Sequence, residues 1–197
     1  SQSNVQGALS ALLGVSFANT KITQLSSGTF TPDANAVSTW VFITGGGGGG
    51  GGADGTDTSS VAMAGGGANG ETRWIIYTPA EMGANAAVSL GAGGNAGSNS
   101  GGNGGAGGNS TFNPAGSGAT LTSNGGGGGD GVQTGFLGQG AGGTAASTGS
   151  NGILLSPGLP GMSGFSDEDG WGTSGAGTSS FWSAGGPPVF RITAGAT

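Results

Sequence analysis

The apolar residues of this chain occur in short runs, separated by long stretches of glycine and small polar residues. Runs rich in β-branched and aromatic residues predict strands. The segments concerned are residues 22–30, 37–43, 72–77, 86–90, 110–112, 119–122 and 189–193. A turn at residues 31–35 joins the first two strands. We expect Trp40, Phe42, Trp74 and Ile76, which alternate within the strands, to lie in the core.

The N-terminal segment has a helical period instead. Its apolar residues are Val5, Ala8, Leu9, Leu12 and Leu13, and they predict a short amphipathic helix that ends at Gly14. Such a helix is too short to be stable alone. We therefore expect residues 1–20 to form a strap on the domain body or a three-stranded neck, and residues 21–197 to form one glycine-rich domain. The first residues, Ser-Gln-Ser-Asn, lack a Met and are typical of the cut edge of a longer protein.

A repeat of three residues runs through residues 100–109. The residues other than glycine there are Ser100, Asn103, Ala106 and Asn109. Three residues per turn is the period of the polyproline II helix, so these side chains would form one ridge and leave two faces of bare glycine. Bare faces let neighbouring segments approach closely enough to exchange backbone hydrogen bonds. The pattern predicts packed polyglycine II segments, with ordinary glycine-rich loops as the alternative.

The composition indicates order in spite of the glycine content. Glycine accounts for 52 of 197 residues, but only 6% of the residues are charged, and there are 4 Trp and 8 Phe. Disordered chains usually combine high net charge with few large apolar residues. Ordering a glycine costs roughly 0.5–1 kcal/mol more than ordering an alanine, so dense backbone hydrogen bonding must offset that cost. The expected fold is mostly β, with short strands that anchor packed polyglycine II tracts, and assembly with other copies of the chain would add to the hydrogen bonding.

Charge and missing residue types exclude several functions. The chain has a net charge of -6 and only three cationic side chains, Lys21, Arg73 and Arg191, so a nucleic-acid partner is not expected. It has no Cys and no His, which removes the usual transition-metal ligands. No apolar run is long enough to insert into a membrane. The glycine run at residues 45–52 lacks the Lys-Ser/Thr ending of a P-loop, and no cofactor is expected.

Two carboxylate clusters are the candidates for ion binding or acid-base chemistry. They are Asp54 with Asp57, and Asp167 with Glu168 and Asp169. Neither has the spacing of an EF-hand loop, so solvated turns are the preferred interpretation. No pair stands out as the two carboxylates of a glycosidase. We therefore expect no metal site, no catalytic residues and no enzymatic activity.

Four motifs follow one another between residues 28 and 130. Gly-Thr-Phe-Thr-Pro at 28–32 precedes Trp-Val-Phe-Ile and the polyglycine run, and Tyr-Thr-Pro-Ala-Glu-Met at 77–82 precedes Val-Ser-Leu-Gly-Ala-Gly-Gly at 88–94. Gly-Asn-Ser-Thr-Phe at 108–112 and an alternating strand with a second polyglycine run at 119–129 complete the series. In this order the motifs resemble the glycine-rich domains at the C-terminal end of bacteriophage tail fibres. The region after Gly131 does not match the family pattern.

The resemblance implies a fibre tip at the distal end of the tail fibre of a virion, in an intertwined homotrimer that covers open strand edges. Such a tip would recognise and adhere to a bacterial surface receptor, either a polysaccharide or an outer-membrane protein. Polyglycine would pack inside and variable loops would lie outside. Residues 1–20 would then be the neck or strap that leads from the longer fibre.

Four aromatic residues in the last third are the candidate receptor contacts. They are Phe165, Trp171, Phe181 and Trp182. Aromatic rings in Gly/Ser/Pro-rich loops present rigid area for sugars or protein partners, although a local core or a subunit interface is the alternative role. For the whole chain, the alternative function is a purely structural polyglycine bundle, such as an ice-binding or fibre-capping protein. A capsule depolymerase is a third alternative.

Overall fold

A computed structural model describes residues 25–54, 61–133, 137–146, 149–166, 171–180, 185–188 and 190–192. These residues form short strands, extended glycine-rich segments and one short helix. The strands are β1 (Gly28–Phe30), β2 (Thr39–Thr44), β3 (Val61–Met63), β4 (Thr72–Tyr77), β5 (Ala86–Ser89), β6 (Ser110–Pro114), β7 (Leu121–Ser123), β8 (Leu137–Gln139), β9 (Ile153–Ser156), β10 (Phe165–Ser166), β11 (Trp171–Thr173) and β12 (Phe190–Ile192). The helix α1 (Pro79–Met82) lies between β4 and β5. The expected N-terminal helix lies outside the described residues.

Two antiparallel sheets enclose the side-chain core. One sheet has the order β1-β5-β6-β7 and the other the order β2-β4-β9. Their facing sides and α1 contribute the buried cluster, which consists of Val41, Ile43, Tyr77, Met82, Ala86, Val88, Phe112 and Leu121. The Phe112 ring is fully buried, with its centroid 6.0 Å from that of Phe30 and 5.7 Å from that of Tyr77. Alternation along the strands thus builds a small sandwich core.

The pairing of the strands is less local than their order in the chain. The turn between β1 and β2 does not make a hairpin, because β1 pairs with β5 and β2 pairs with β4. Strands expected from the sequence are confirmed at β1, β2, β4, β5, β6, β7 and β12. The sequence does not predict β3, β8, β9, β10 and β11, which have only two to four residues each. Runs this short carry too few positions to establish a period.

Helix α1 is short because it is a capped turn between two strands. Thr78 is its N-cap, and the Glu81 carboxylate accepts hydrogen bonds from the Thr78 N–H and hydroxyl, both at 2.8 Å. These bonds hold the pKa of Glu81 below its ordinary value. Gly83 ends the helix with a φ of 67°, a conformation that favours glycine. The Thr-x-x-Glu signal of a capping box was therefore present in the sequence.

Eight extended segments continue from the strands. They are tract 1 (45–54), tract 2 (64–71), tract 3 (90–98), tract 4 (101–109), tract 5 (124–132), tract 6 (140–146), tract 7 (157–164) and tract 8 (174–180). Their hydrogen bonds run between tracts and repeat every three residues. The N–H groups of Gly45, Gly48 and Gly51 donate to carbonyl groups of tract 2 at 2.8–3.0 Å. The residues that directly follow each of these glycines donate to tract 4 at 2.8–2.9 Å.

Close approach between the backbones explains the glycines. A methyl group on Gly49 would lie less than 3.0 Å from the carbonyl oxygens of Asn95 and Gly94. A methyl group on Gly50, the next residue, would have the carbonyl oxygen of Gly65 as its nearest neighbour at 3.7 Å. Gly47, three residues earlier, has the same space, with the carbonyl oxygen of Ala68 at 3.7 Å. Space for a side chain therefore recurs along tract 1 at an interval of three residues.

Tract 2 lies at the centre of this arrangement and tract 4 at its surface. Every residue of tract 2 is buried, and its backbone exchanges hydrogen bonds with tracts 1, 5, 6, 7 and 8. In tract 4, Asn103, Ala106 and Asn109 are exposed, as is Ser100 before it, while the glycines between them are partly buried. The side-chain amide oxygens of Asn103 and Asn109 accept hydrogen bonds from the N–H groups of Gly131 and Gly125.

Candidate functional site

The four candidate receptor residues fall in a part of the chain that is only partly described. Phe165 begins β10, where it pairs with Thr173 of β11, and its side chain is 56% exposed. Trp171 begins β11, with its backbone opposite Ile192 of β12. Phe181 and Trp182 lie outside the described residues. The structure thus places Phe165 at the surface, and the grouping of all four residues stays a prediction.

Phe165 is the last member of an exposed apolar row that runs along tract 7 and ends at the first residue of β10. We call Leu159, Met162 and Phe165 the apolar ridge; their side chains are 48%, 61% and 56% exposed. Gly161 and Gly164 lie between them and donate hydrogen bonds at 2.9 Å to the carbonyl groups of Gly143 and Gly140 in tract 6. The glycines therefore pack inward and the large side chains are left outside.

The apolar ridge could have been found from the sequence. The segment Gly-Leu-Pro-Gly-Met-Ser-Gly-Phe at 158–165 places glycine at every third position and a large apolar residue directly after each glycine. This is the period of three that residues 100–109 display with small residues.

A second exposed apolar surface lies on the outer face of the β2-β4-β9 sheet. We call Trp40, Phe42, Trp74, Ile76 and Ile153 the aromatic strip. Strand pairing sets Trp40 opposite Ile76, Phe42 opposite Trp74, and Trp74 opposite Ile153. The Trp74 ring is stacked with that of Trp40 at a centroid distance of 5.5 Å and with that of Phe42 at 5.8 Å.

The aromatic strip corrects the assignment of Trp40, Phe42, Trp74 and Ile76 to the core. Trp40 is 59% exposed, Phe42 is 47% exposed and Ile76 is 41% exposed, whereas Val41 and Ile43 are buried. Both faces of β2 are apolar, so a period of two cannot distinguish the face that packs inward. In β2 the β-branched Val41 and Ile43 face the other sheet, whereas the rings of Trp40 and Phe42 face outward.

Comparison with known protein families agrees with the glycine architecture. A family model described as a glycine-rich domain matches residues 23–196. The chain belongs to this glycine-rich domain family. No curated protein and no solved structure matches the chain.

A buried ion pair fixes the position of β9 in this glycine-rich domain. Arg73 Nε lies 3.1 Å from Glu71 Oε1, and both side chains are buried. Arg73 Nη1 also donates to the carbonyl oxygen of Asn151 at 2.8 Å. Glu71 Oε1 accepts hydrogen bonds from the N–H groups of Asn124 at 3.1 Å and Gly149 at 2.7 Å. A buried ion pair stabilises a fold only when its remaining donors and acceptors also form hydrogen bonds. Here those hydrogen bonds join tracts 2 and 5 to the turn before β9.

The described residues of the glycine-rich domain bring few ionisable side chains close together. No three of its described Asp and Glu side chains converge as metal ligands. A depression of about 310 Å³ lies between the turn after β1 and helix α1, and Asp33 is the one carboxylate in its lining. Asp57 and Asp167 to Asp169 lie outside the described residues. No helix in the described ranges is long and apolar enough to cross a membrane. The described surface therefore offers apolar contact rather than paired carboxylates.

Proposed function

We propose that this glycine-rich domain is the tip of a bacteriophage tail fibre and adheres to a receptor on the bacterial surface. The observation that carries the proposal is the apolar ridge, in which Leu159, Met162 and Phe165 project from a segment whose glycines are fixed by backbone hydrogen bonds. The order of motifs between residues 28 and 130, which resembles that of tail fibre domains, is the second support.

The scaffold in this proposal is a bundle of polyglycine II helices. The backbone hydrogen bonds of tracts 1, 2 and 4 join each tract to its neighbours and repeat every three residues. A helix with three residues per turn would produce this pattern. At a rise of about 3.1 Å per residue, the side chains of the ridge would stand roughly 9 Å apart. A rigid row of this kind costs little conformational entropy when it binds.

The ridge suits a receptor with an apolar or carbohydrate surface. Its three side chains are uncharged, and aromatic rings such as that of Phe165 stack on sugars or fill pockets in proteins. Trp171, Phe181 and Trp182 remain candidates for the same surface. In the fibre, three copies of the chain would present three ridges, and multivalent contact raises the overall affinity.

The test is binding of the purified protein to whole host cells. We expect Phe165→Ser and Met162→Ser each to weaken binding about tenfold or more, because each removes a half-exposed apolar contact. Val37→Ser is the control, since Val37 is 82% exposed and lies outside the ridge. Equal binding by the ridge variants and the control would contradict the assignment of the ridge. Release of oligosaccharides from the cells would favour a depolymerase instead.

One observation favours a purely structural alternative. Tracts 3 and 4 carry exposed small residues at intervals of three, among them Ala92, Asn95 and Ser98 in tract 3. Regular rows of small side chains are what an ice-binding polyglycine bundle would present. A thermal hysteresis assay separates the two functions, because the fibre-tip proposal expects no effect on ice growth.

A further inference from the structure

The aromatic strip is a large contiguous apolar part of the described surface. Four of its five side chains are 41–59% exposed and Trp74 is partly buried, so the strip exposes on the order of 500 Å² if a large side chain presents roughly 150–250 Å². Single exposed apolar residues are common on proteins, whereas the largest contiguous patch, roughly 300–600 Å² on a typical monomer, is often functional. The strip crosses the sheet from the edge strand β2 to the edge strand β9.

The area and the charge of the strip match one side of an interface between proteins. A stable interface buries about 800 Å² on each partner, and about 65% of the area of an interface between identical chains is apolar. The product is on the order of 500 Å², which is what the strip exposes. The strip carries no charged side chain, although the chain has a net charge of -6. A neutral contact surface lets copies of an acidic chain approach without repulsion at the point of contact.

The ring geometry disfavours a sugar as the occupant of the strip. The rings of Trp74 and Phe42 are stacked with an offset, at an interplanar angle of 11° and a centroid distance of 5.8 Å, so each ring covers part of one face of the other. Sugars stack on open ring faces and need hydrogen-bonding groups beside them. On the same face of the sheet, the hydroxyls of Thr44 and Thr72 are 2.9 Å apart and bond to each other.

We infer that the aromatic strip is the surface through which copies of this chain contact one another. The inference rests on the homotrimer in the proposed function and assigns the residues that form its interface. It does not depend on the receptor or on the apolar ridge. The strip and the ridge then have separate roles, self-association and adhesion.

The experiment measures the mass of the full chain by light scattering over a range of concentrations. We expect the wild-type protein to be oligomeric. We expect Phe42→Ser to raise the concentration at which the oligomer dissociates by about tenfold or more. Phe165→Ser is the matched control, because it removes the same side chain at a similar exposure from the ridge. We expect this control to assemble like the wild type and to lose cell binding.

A thermal unfolding transition establishes that each variant is folded. Ile153→Ser is the second strip variant in case Phe42→Ser does not fold, because Ile153 lies outside the stacked rings. A wild-type monomer at every concentration would overturn the inference, and so would strip variants that assemble normally. A monomer whose strip binds neutral oligosaccharides would make the strip a glycan site. A monomer that begins to associate when residues 1–20 are removed would make that segment the occupant. Both of these results also overturn the inference, whereas cell binding by a monomer would leave the proposed adhesion intact.

Discussion

Phe112 and Gly49 lie in two regions that differ in what fills the space between neighbouring segments. Around Phe112, side chains from two sheets occupy the gap, and the contacts are apolar. Around Gly49, backbones lie against backbones, and the contacts are hydrogen bonds that repeat every three residues. The sheet core is therefore sensitive to the loss of atoms, and the tracts are sensitive to their addition.

The largest expected effect comes from removing atoms in the sheet core. Phe112→Ala should lower the free energy of unfolding by about 4 kcal/mol, because it leaves a cavity against Phe30 and Tyr77. Chemical denaturation measures the change. The exposed Phe165→Ala should change stability by less than about 0.5 kcal/mol. Equal losses in both variants would mean that the core does not lie between the sheets.

The next effect comes from adding one methyl group to a tract. Gly49→Ala should lower the free energy of unfolding by about 3 kcal/mol, because the methyl group meets the carbonyl oxygen of Asn95, which accepts a hydrogen bond from the N–H group of Gly105. Gly50→Ala adds the same group where there is space. It should be neutral or stabilising by up to about 1 kcal/mol, since alanine restricts the unfolded chain. The pair is compared by thermal and chemical unfolding, and similar stabilities would refute the packing of tract 1.

The smallest effect concerns the polar group at the edge of the core. Tyr77 donates its hydroxyl proton to the carbonyl oxygen of Ala119 at 2.7 Å, and burial raises the pKa of Tyr77 to about 12. Tyr77→Phe should cost about 1 kcal/mol. The folded pKa exceeds the unfolded value of about 10, so the contribution of Tyr77 is complete below pH 10 and is lost as the pH rises through 12.

This titration can be followed directly because Tyr77 is the one tyrosine of the chain. Tyrosinate absorbance should develop near pH 12 in the folded protein and near 10 in denaturant. A midpoint near 10 in the folded protein would show that the hydroxyl is exposed to solvent.

The strands that were predicted correctly are those in which aromatic and β-branched residues are concentrated. The six residues of β4 coincide with the predicted segment, because all four residues of Trp-Ile-Ile-Tyr are aromatic or β-branched and favour strands. Pairing was not predictable in the same way. The partner of β1 is β5, more than fifty residues away, and glycine tracts between them carry no signal about which segments meet.

Among the candidate receptor contacts, Phe165 is exposed, and its role as a contact stays a prediction. The glycine pattern at 158–165 is the signal that groups Leu159 and Met162 with it. Alternation predicts a core position for Trp40, Phe42, Trp74 and Ile76, and this prediction is wrong, because these residues lie on the outer face of their sheet. In both cases the residue types were informative, and the side on which they lie depended on the segment packed against them.

The period of three in the tracts also limits how their lengths can change. One extra residue in tract 1 would shift every later residue by one place in the repeat of three and set side-chain positions against a neighbouring backbone. Three extra residues would restore the same contacts one repeat further along. Insertions and deletions in the tracts should therefore be tolerated in multiples of three, while the turns at their ends can vary freely in length. Differences in length between related proteins should accordingly concentrate at those turns. The same turns are the places where a laboratory library could vary the length of the chain.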